Sequence, residues 1–187
     1  MKIMNFILNI ITIFLFLRCF LFPCYSDDLF SLKEEAKKIS KKIIKKYGKE
    51  RIISLIKDLT NENPLIAKKA IIEFTKLGEQ EMVSLGLKYP SSIVKIVSAK
   101  GLREIGTKKI LPSLLQALEK ANSEFLKGGS EVIIENRELK KNLIETISKI
   151  TGLKYESLDV DDNEAISRMI QEVKDMIKDT TKSSTNE

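Results

Sequence analysis

From Asp28 to about Lys178 the apolar residues recur at spacings of three and four, the period of an amphipathic helix, and no strand-like alternation persists. In the first such stretch Leu32, Ala36, Ile39, Ile43 and Tyr47 fall on one face. Lys33, Lys37, Lys38, Lys41, Lys42, Lys45, Lys46 and Lys49 occupy or flank the others. Ser31 followed three places later by Glu34 has capping-box spacing, so this pattern predicts a helix that starts there and ends at Gly48. Asn63-Pro64 predicts an N-cap and first helical residue, with Leu77-Gly78 closing that helix. Tyr89-Pro90-Ser91-Ser92 breaks the chain and opens the next, which closes at Ile105-Gly106. Asn136 is expected to cap a further helix ending at Ile150-Thr151-Gly152, and Asp161-Asp162-Asn163-Glu164 to open a last one through about Lys178. The polar tail over 179–187 is expected to be disordered.

These starts and stops repeat. Gly78 and Gly106 are 28 residues apart, and Gly48 lies 30 before the first of them. Aligned on the glycines, Ile66, Ala70, Ile71, Phe74 and Leu77 fall on Val94, Ser98, Ala99, Leu102 and Ile105. Ala36, Ser40, Ile44 and Tyr47 fit the same frame, as do Leu139, Leu143, Ile144, Ile147 and Ile150. Shorter amphipathic segments precede the later frames, at Arg51 to Leu59, Glu79 to Lys88 and Lys108 to Lys120. A helix pair of this kind cannot bury its own apolar stripe, so neighbouring pairs must stack. The expected architecture is all-α, a right-handed α-solenoid of about three to four stacked antiparallel helix pairs. Its units are a half unit at 31–48, then 50–78, 79–106 and 107–152, with a capping helix at 162–178. An insertion from Asn122 to Glu135, holding Gly128-Gly129-Ser130, lengthens the connection inside the third full unit and is expected to be a loop.

The N-terminal end follows a different pattern. Lys2 precedes an apolar run of about a dozen residues, the size of a signal-peptide core. Cys24-Tyr25-Ser26 offers small residues at −3 and −1 of a cut after Ser26, so residues 1–26 read as a signal peptide or membrane anchor and 27–178 as the folded domain. An uncleaved anchor is the rival, since Ile3 to Pro23 is 21 residues, enough to cross a hydrocarbon core of about 30 Å. A third alternative makes Cys24 the lipidated first residue of a lipoprotein. All three place the domain outside the cytoplasm of a bacterium, in the periplasm or cell envelope.

Composition narrows the chemistry. The 187 residues contain no His and no Trp, and the only cysteines are Cys19 and Cys24. Imidazole proton relays and His or Cys/His metal sites are therefore excluded for this chain alone. Cleavage after Ser26 lowers the net charge from +6 to +4, because Lys2 and Arg18 go and no acidic residue does. It also leaves no cysteine, so no disulfide supports the fold. No phosphate-binding glycine loop or nucleophile elbow is present, and Gly128-Gly129-Ser130 follows no strand. Asp159-Val160-Asp161-Asp162-Asn163-Glu164 starts like a calcium loop, but lacks Gly at its sixth place and has Ile170 at its twelfth; helix capping accounts for it better. No cofactor is expected. Residues 31–60 hold ten basic groups against four acidic, and 159–187 hold eight acidic against four basic, so the domain is polarised along its length.

The repeat frame resembles the HEAT-repeat family, in the short bacterial form also seen in phycobilin-lyase relatives. The resemblance spans residues 31 to 178. It rests on Asp58, Ile66, Ala70-Ile71, Phe74 and Leu77-Gly78 in one unit, and on Val94-Lys95, Ser98-Ala99, Leu102 and Ile105-Gly106 in the next. Leu139-Lys140, Leu143-Ile144, Ile147 and Ile150-Thr151 carry it in the last. Departures are the family's Arg, which is Lys95 and Lys140 here and missing at Ala67, and a helix-weakening Gly86. The resemblance implies a solenoid and leaves function open. The expected function is a non-enzymatic scaffold or adaptor that binds another protein. By helical position the candidate surface comprises Lys68, Lys69, Glu73, Lys76, Lys95, Lys100, Arg103, Glu104, Lys140, Lys141 and Glu145. The alternative is a membrane-anchored envelope protein whose Lys-rich first helix faces an anionic membrane surface. Nucleic acid is disfavoured by export and by the absence of Trp, and a HEAT-like lyase by the lack of any residue pattern marking a tetrapyrrole pocket.

Overall fold

The three-and-four periodicity becomes helix throughout the computed structural model, which describes residues 25–123 and 130–183, with side chains for 28–123 and 130–179. Among the described residues there are eight α-helices and no strand. They are α1 (Tyr25–Tyr47), α2 (Lys49–Leu59), α3 (Pro64–Lys76), α4 (Gln80–Leu85), α5 (Ser92–Ile105), α6 (Leu111–Ser123), α7 (Ser130–Thr151) and α8 (Asn163–Ser183). Short 3-10 turns at Gly86–Lys88 and Lys108–Ile110 continue α4 and lead into α6. Residues 1–24, which hold most of the expected signal peptide or anchor, the 124–129 part of the insertion and the tail over 184–187 lie outside the described residues.

Local chemistry sets many of the boundaries. The Asn63 side chain accepts from Leu65 N at 2.9 Å with Pro64 behind it, the expected cap. Asp162 Oδ1 accepts from Ala165 N at 2.8 Å and caps α8. Gly48, Gly78 and Gly152 end their helices at positive φ; Gly106 does not, since its φ is −71° and the chain leaves α5 extended.

Three expected boundaries move. Helix α1 does not start at Ser31 but at Tyr25, because buried Leu29 extends the stripe of Leu32 and Ala36 a turn backwards. The expected cut after Ser26 therefore falls within the described part of α1. Asn136 caps nothing at the start of α7, which begins at Ser130. It lies inside that helix, and its buried amide donates to Ala121 O at 3.2 Å, serving the end of α6 instead. The insertion thus shrinks as a loop, with 122–123 in α6 and 130–135 in α7. Helix α8 continues beyond Lys178 to Ser183.

Helices α3, α5 and α7 pack side by side in that order, and each also packs on the helix before it, α2, α4 and α6. The repeat frame marks this core. Ala70, Ser98 and Leu143 are buried, as are Ile71, Ala99 and Ile144, and Phe74, Leu102 and Ile147 are wholly enclosed. Each large apolar side chain there contributes about 1.5–3 kcal/mol of transfer free energy. Hydroxyls tie neighbouring units at nearly the repeat spacing, Tyr47 to Leu77 O at 2.7 Å and Tyr89 to Asn61 O at 2.5 Å.

The terminal helices lie on α2, α4 and α6. Helix α1 packs on α2 and α4. Lys42 pairs with Glu81 at 3.8 Å, Lys46 with Glu79 at 3.3 Å and Glu35 with Lys88 at 2.7 Å, so α1 runs antiparallel along 79–88. Helix α8 packs on α6 through Ile166, Met169, Ile170 and Val173, with Lys174 paired to Glu119. Among the described residues, no helix is long and apolar enough to cross a membrane.

Candidate binding surface

Helices α3, α5 and α7 each bury one side and leave the other bare. On α3 the bare row is Leu65, Lys69, Ile72 and Lys76, spaced four, three and four, directly opposite buried Ala67, Ala70 and Phe74. The corresponding row on α5 is Ile93, half-buried Val97, Lys100 and Glu104. On α7 it is Ile134, Glu138, half-buried Glu145 and Lys149. Leu65 is 58% exposed, Ile72 37%, Ile93 38% and Ile134 63%, so large aliphatic groups recur on a face otherwise made of charges.

Ion pairs stitch these rows together. Lys100 reaches Glu138 at 3.0 Å and Arg103 pairs with Glu145, both from α5 to α7. Glu73 takes Lys76 at 2.7 Å and Arg51 of α2 at 4.0 Å. The bond from Lys76, with Arg51 behind it, holds the Glu73 carboxyl below its usual range. The pairs of Lys100 and of Glu73 are screened by solvent and do not hold the helices together, whereas Arg103–Glu145 is half-buried. The α3 end carries Lys68, Lys69 and Lys76 against Glu73, and the α7 end carries Glu138 and Glu145 beside Lys141 and Lys149.

Nine of the eleven residues expected on a binding surface lie on this face or its flanks: Lys68, Lys69, Glu73, Lys76, Lys100, Arg103, Glu104, Lys141 and Glu145. Lys95 and Lys140 do not join them. Lys140 is 7% exposed and donates to Asn163 Oδ1 at 3.2 Å, inside the turn that opens α8. Burial pushes its ammonium below the usual lysine range, against the pull of Asp161. Lys95 turns to the opposite side of α5, into a small cavity against α6. Both hold the position where the family resemblance places an Arg, one helical turn from the core residue of the frame, and that position points inward. The aliphatic members of the face, Leu65, Ile72, Ile93 and Ile134, are absent from the surface expected from sequence, which consists of charged residues alone. The signal that could have found them is their phase, opposite to Ala70 and Phe74 on the same helix.

Asp159, Asp161 and Asp162 are used in the turn before α8: Asp159 Oδ1 accepts from Asp161 N at 3.0 Å, Asp161 pairs with Arg137, and Asp162 caps the helix. No group of three acidic, His or Cys side chains able to hold a metal occurs among the described residues. Tyr155 is half-buried, and its enclosed hydroxyl meets no hydrogen-bond partner of good geometry among the described residues. Burial first, and Glu172 beside it, push that hydroxyl far above the ordinary tyrosine range. A cleft of about 820 Å³ opens between α6 and α8, lined by Glu119, Asn122, Arg168, Gln171 and Lys174 among others. No protein-family model matches this chain, and neither a curated protein nor a solved structure matches it.

Proposed function

We propose that this chain is a HEAT-like α-solenoid that serves as a non-enzymatic docking module, seating another protein across the bare rows of α3, α5 and α7. The observation that carries this reading is the aliphatic series Leu65, Ile72 and Ile93 left exposed among lysines on the side that neither α1 nor α8 lies on. Exposed aliphatic groups rimmed by charges are the composition of an interaction surface, in which the apolar groups anchor and the charges select. The in-order packing of α3, α5 and α7 supports the solenoid part of the proposal, and the repeat frame at 28 residues supports the family part. The module works outside the cytoplasm, delivered by the segment over residues 1–26.

A photo-cross-linking side chain placed at position 72 or 93 tests the docking face in living cells, with position 38 on α1 as the control. The expected result is a discrete protein adduct from 72 and 93 and none from 38. Ile93→Glu with the cross-linker at 72, and Ile72→Glu with it at 93, should each cut that yield about tenfold with only a small fall in melting temperature, because each side chain is already more than a third exposed. Adducts from 38 alone would refute the proposal. Intact mass from the same cells tests export: a start at Asp27 in the soluble fraction fits a released module, and a full-length mass in membranes fits an anchored one.

A second reading is favoured by α1 itself. Lys37, Lys38, Lys41, Lys42 and Lys45 point away from the core, and Phe30, 68% exposed, stands at the end nearest the apolar leader. In an anchored protein this row would lie against anionic lipid, and position 38 would then cross-link to lipid rather than to protein.

A further inference from the structure

We infer that the segment seated on the docking face is an acidic amphipathic helix of another protein. This rests on the docking reading above and adds the chemistry of the partner. The face is not evenly charged. Four cations gather at its α3 edge, Lys68, Lys69 and Lys76 of α3 and Arg51 of α2, against two carboxylates, Glu73 and Glu62 of the turn before α3. Glu73 is already shared by Lys76 and Arg51, whereas Lys68 and Lys69 make no ion pair or hydrogen bond among the described residues. Toward α7 the charges cancel within the face, Lys100 on Glu138 and Arg103 on Glu145. Lys68 and Lys69 stand between the anchors Leu65 and Ile72, three or four residues from each, and so on the same patch of helix surface. The uncompensated positive charge therefore lies among the exposed aliphatic groups, where an acidic partner would neutralise it.

Spacing and backbone chemistry favour a helix as the occupant. Leu65 and Ile72 are seven residues apart on α3, about 10.5 Å along its axis. Apolar residues at i and i+7 of a second helix are separated by the same distance, so one stripe can cover both. Its i+3 or i+4 residue then meets Ile93 on neighbouring α5. An extended segment would need a sheet edge for its N–H and C=O groups, and no strand occurs among the described residues. A helix satisfies those groups internally. Glu73, Glu104, Glu138 and Glu145 on the same face weigh against an anionic membrane as the occupant, since lipid phosphates would repel them.

The test reads the adduct formed in cells by a photo-cross-linker at position 93 of the full chain. Mass-spectrometric mapping of that adduct is expected to find a segment with apolar residues at i, i+3 or i+4 and i+7, and an excess of Asp and Glu between them. Lys68→Glu with Lys69→Glu should cut the yield about tenfold. Lys68→Gln with Lys69→Gln should cut it less, because reversal adds repulsion to the loss of attraction. Neither lysine takes part in an ion pair, so the melting temperatures of both double variants should stay near the parent's. The same reversal at Lys38 and Lys41, on the exposed side of α1, should leave the yield unchanged. A mapped segment that is basic or lacks the helical spacing overturns the acidic helix, as does a yield that the α3 substitutions do not change. In either case the docking face itself still stands on its dependence on Ile72. No protein adduct from 72 or from 93 overturns both. Binding to phosphatidylglycerol vesicles that is lost in Lys68→Glu, with no protein adduct, also overturns it, in favour of a membrane.

Discussion

Replacing Gly86 by alanine sets local helix preference against tertiary packing and gives them opposite signs. Glycine at the end of a helical segment is a weak helix former, so alanine there should gain about 0.5–1 kcal/mol if only the backbone mattered. In the folded chain Gly86 is buried, and a Cβ built on it runs into Ser98 Oγ and lies 2.7 Å from Ile71 Cδ1. The Ile71 terminal carbon can rotate aside. Ser98 Oγ has less freedom, because it is fully buried and donates to Val94 O at 2.9 Å along α5. Forcing an extra methyl into such a contact costs about 1–3 kcal/mol. Set against the propensity gain, Gly86→Ala should lose about 1–2 kcal/mol, or roughly 2–8 °C in melting temperature for a domain of this size. Ser98→Ala removes the clashing oxygen and by itself costs about 1 kcal/mol or less. The double variant should therefore be more stable than the sum of the singles by about 1 kcal/mol, well within the range of contacting pairs. Urea unfolding followed by circular dichroism measures all four proteins. A Gly86→Ala variant as stable as the parent, or a double variant that is simply additive, would refute the close approach of the 3-10 turn after α4 to α5.

Two further outcomes follow from burial. Ala99 is fully enclosed between α5 and α7, where Thr146 Oγ1 donates to its carbonyl at 3.0 Å, so Ala99→Asp should cost about 3–5 kcal/mol; a thermal melt close to the parent's would sink the α5–α7 packing. Lys140 has a folded-state affinity for protons below its ordinary value of 10.5, so it binds fewer protons folded than unfolded, and stability should rise with pH through the window below 10.5. Lys140→Met removes that dependence, so its advantage over the parent, measured by urea unfolding, should be largest near neutrality and shrink as the pH climbs; a gap constant with pH would count against burial of the ammonium.

Much of the local design was readable along the chain. The Asn63-Pro64 start, the opening of the last helix within Asp161-Asp162-Asn163-Glu164 and the glycine ends at 48, 78 and 152 were expected, since each depends on a few adjacent residues and a backbone bond within reach. Errors occurred where a residue serves something distant. Asn136 has the composition of a cap, yet it bonds the end of the preceding helix, 15 residues away in sequence. Ser31 and Glu34 have capping-box spacing, yet the burial of Leu29 carries the helix past them. Of the proposed binding residues, Lys95 and Lys140 share their polar character with Lys100 and Lys141 but lie on other helical phases. Only the packing direction of α5 and α7 turns them inward.

The sequence by itself determined that the chain is helical, where most of its turns fall, and which side of each frame is apolar, because helical period and capping are properties of short segments. The tertiary structure decided that α1 runs along 79–88, that Gly86 is a point of helix contact, and that aliphatic residues stay bare beside the lysines of α3 and α5. The physical reason is that pairing between helices far apart in sequence depends on how all their faces are shared out at once. An amphipathic stripe states that a face must be covered, and leaves open which helix will cover it.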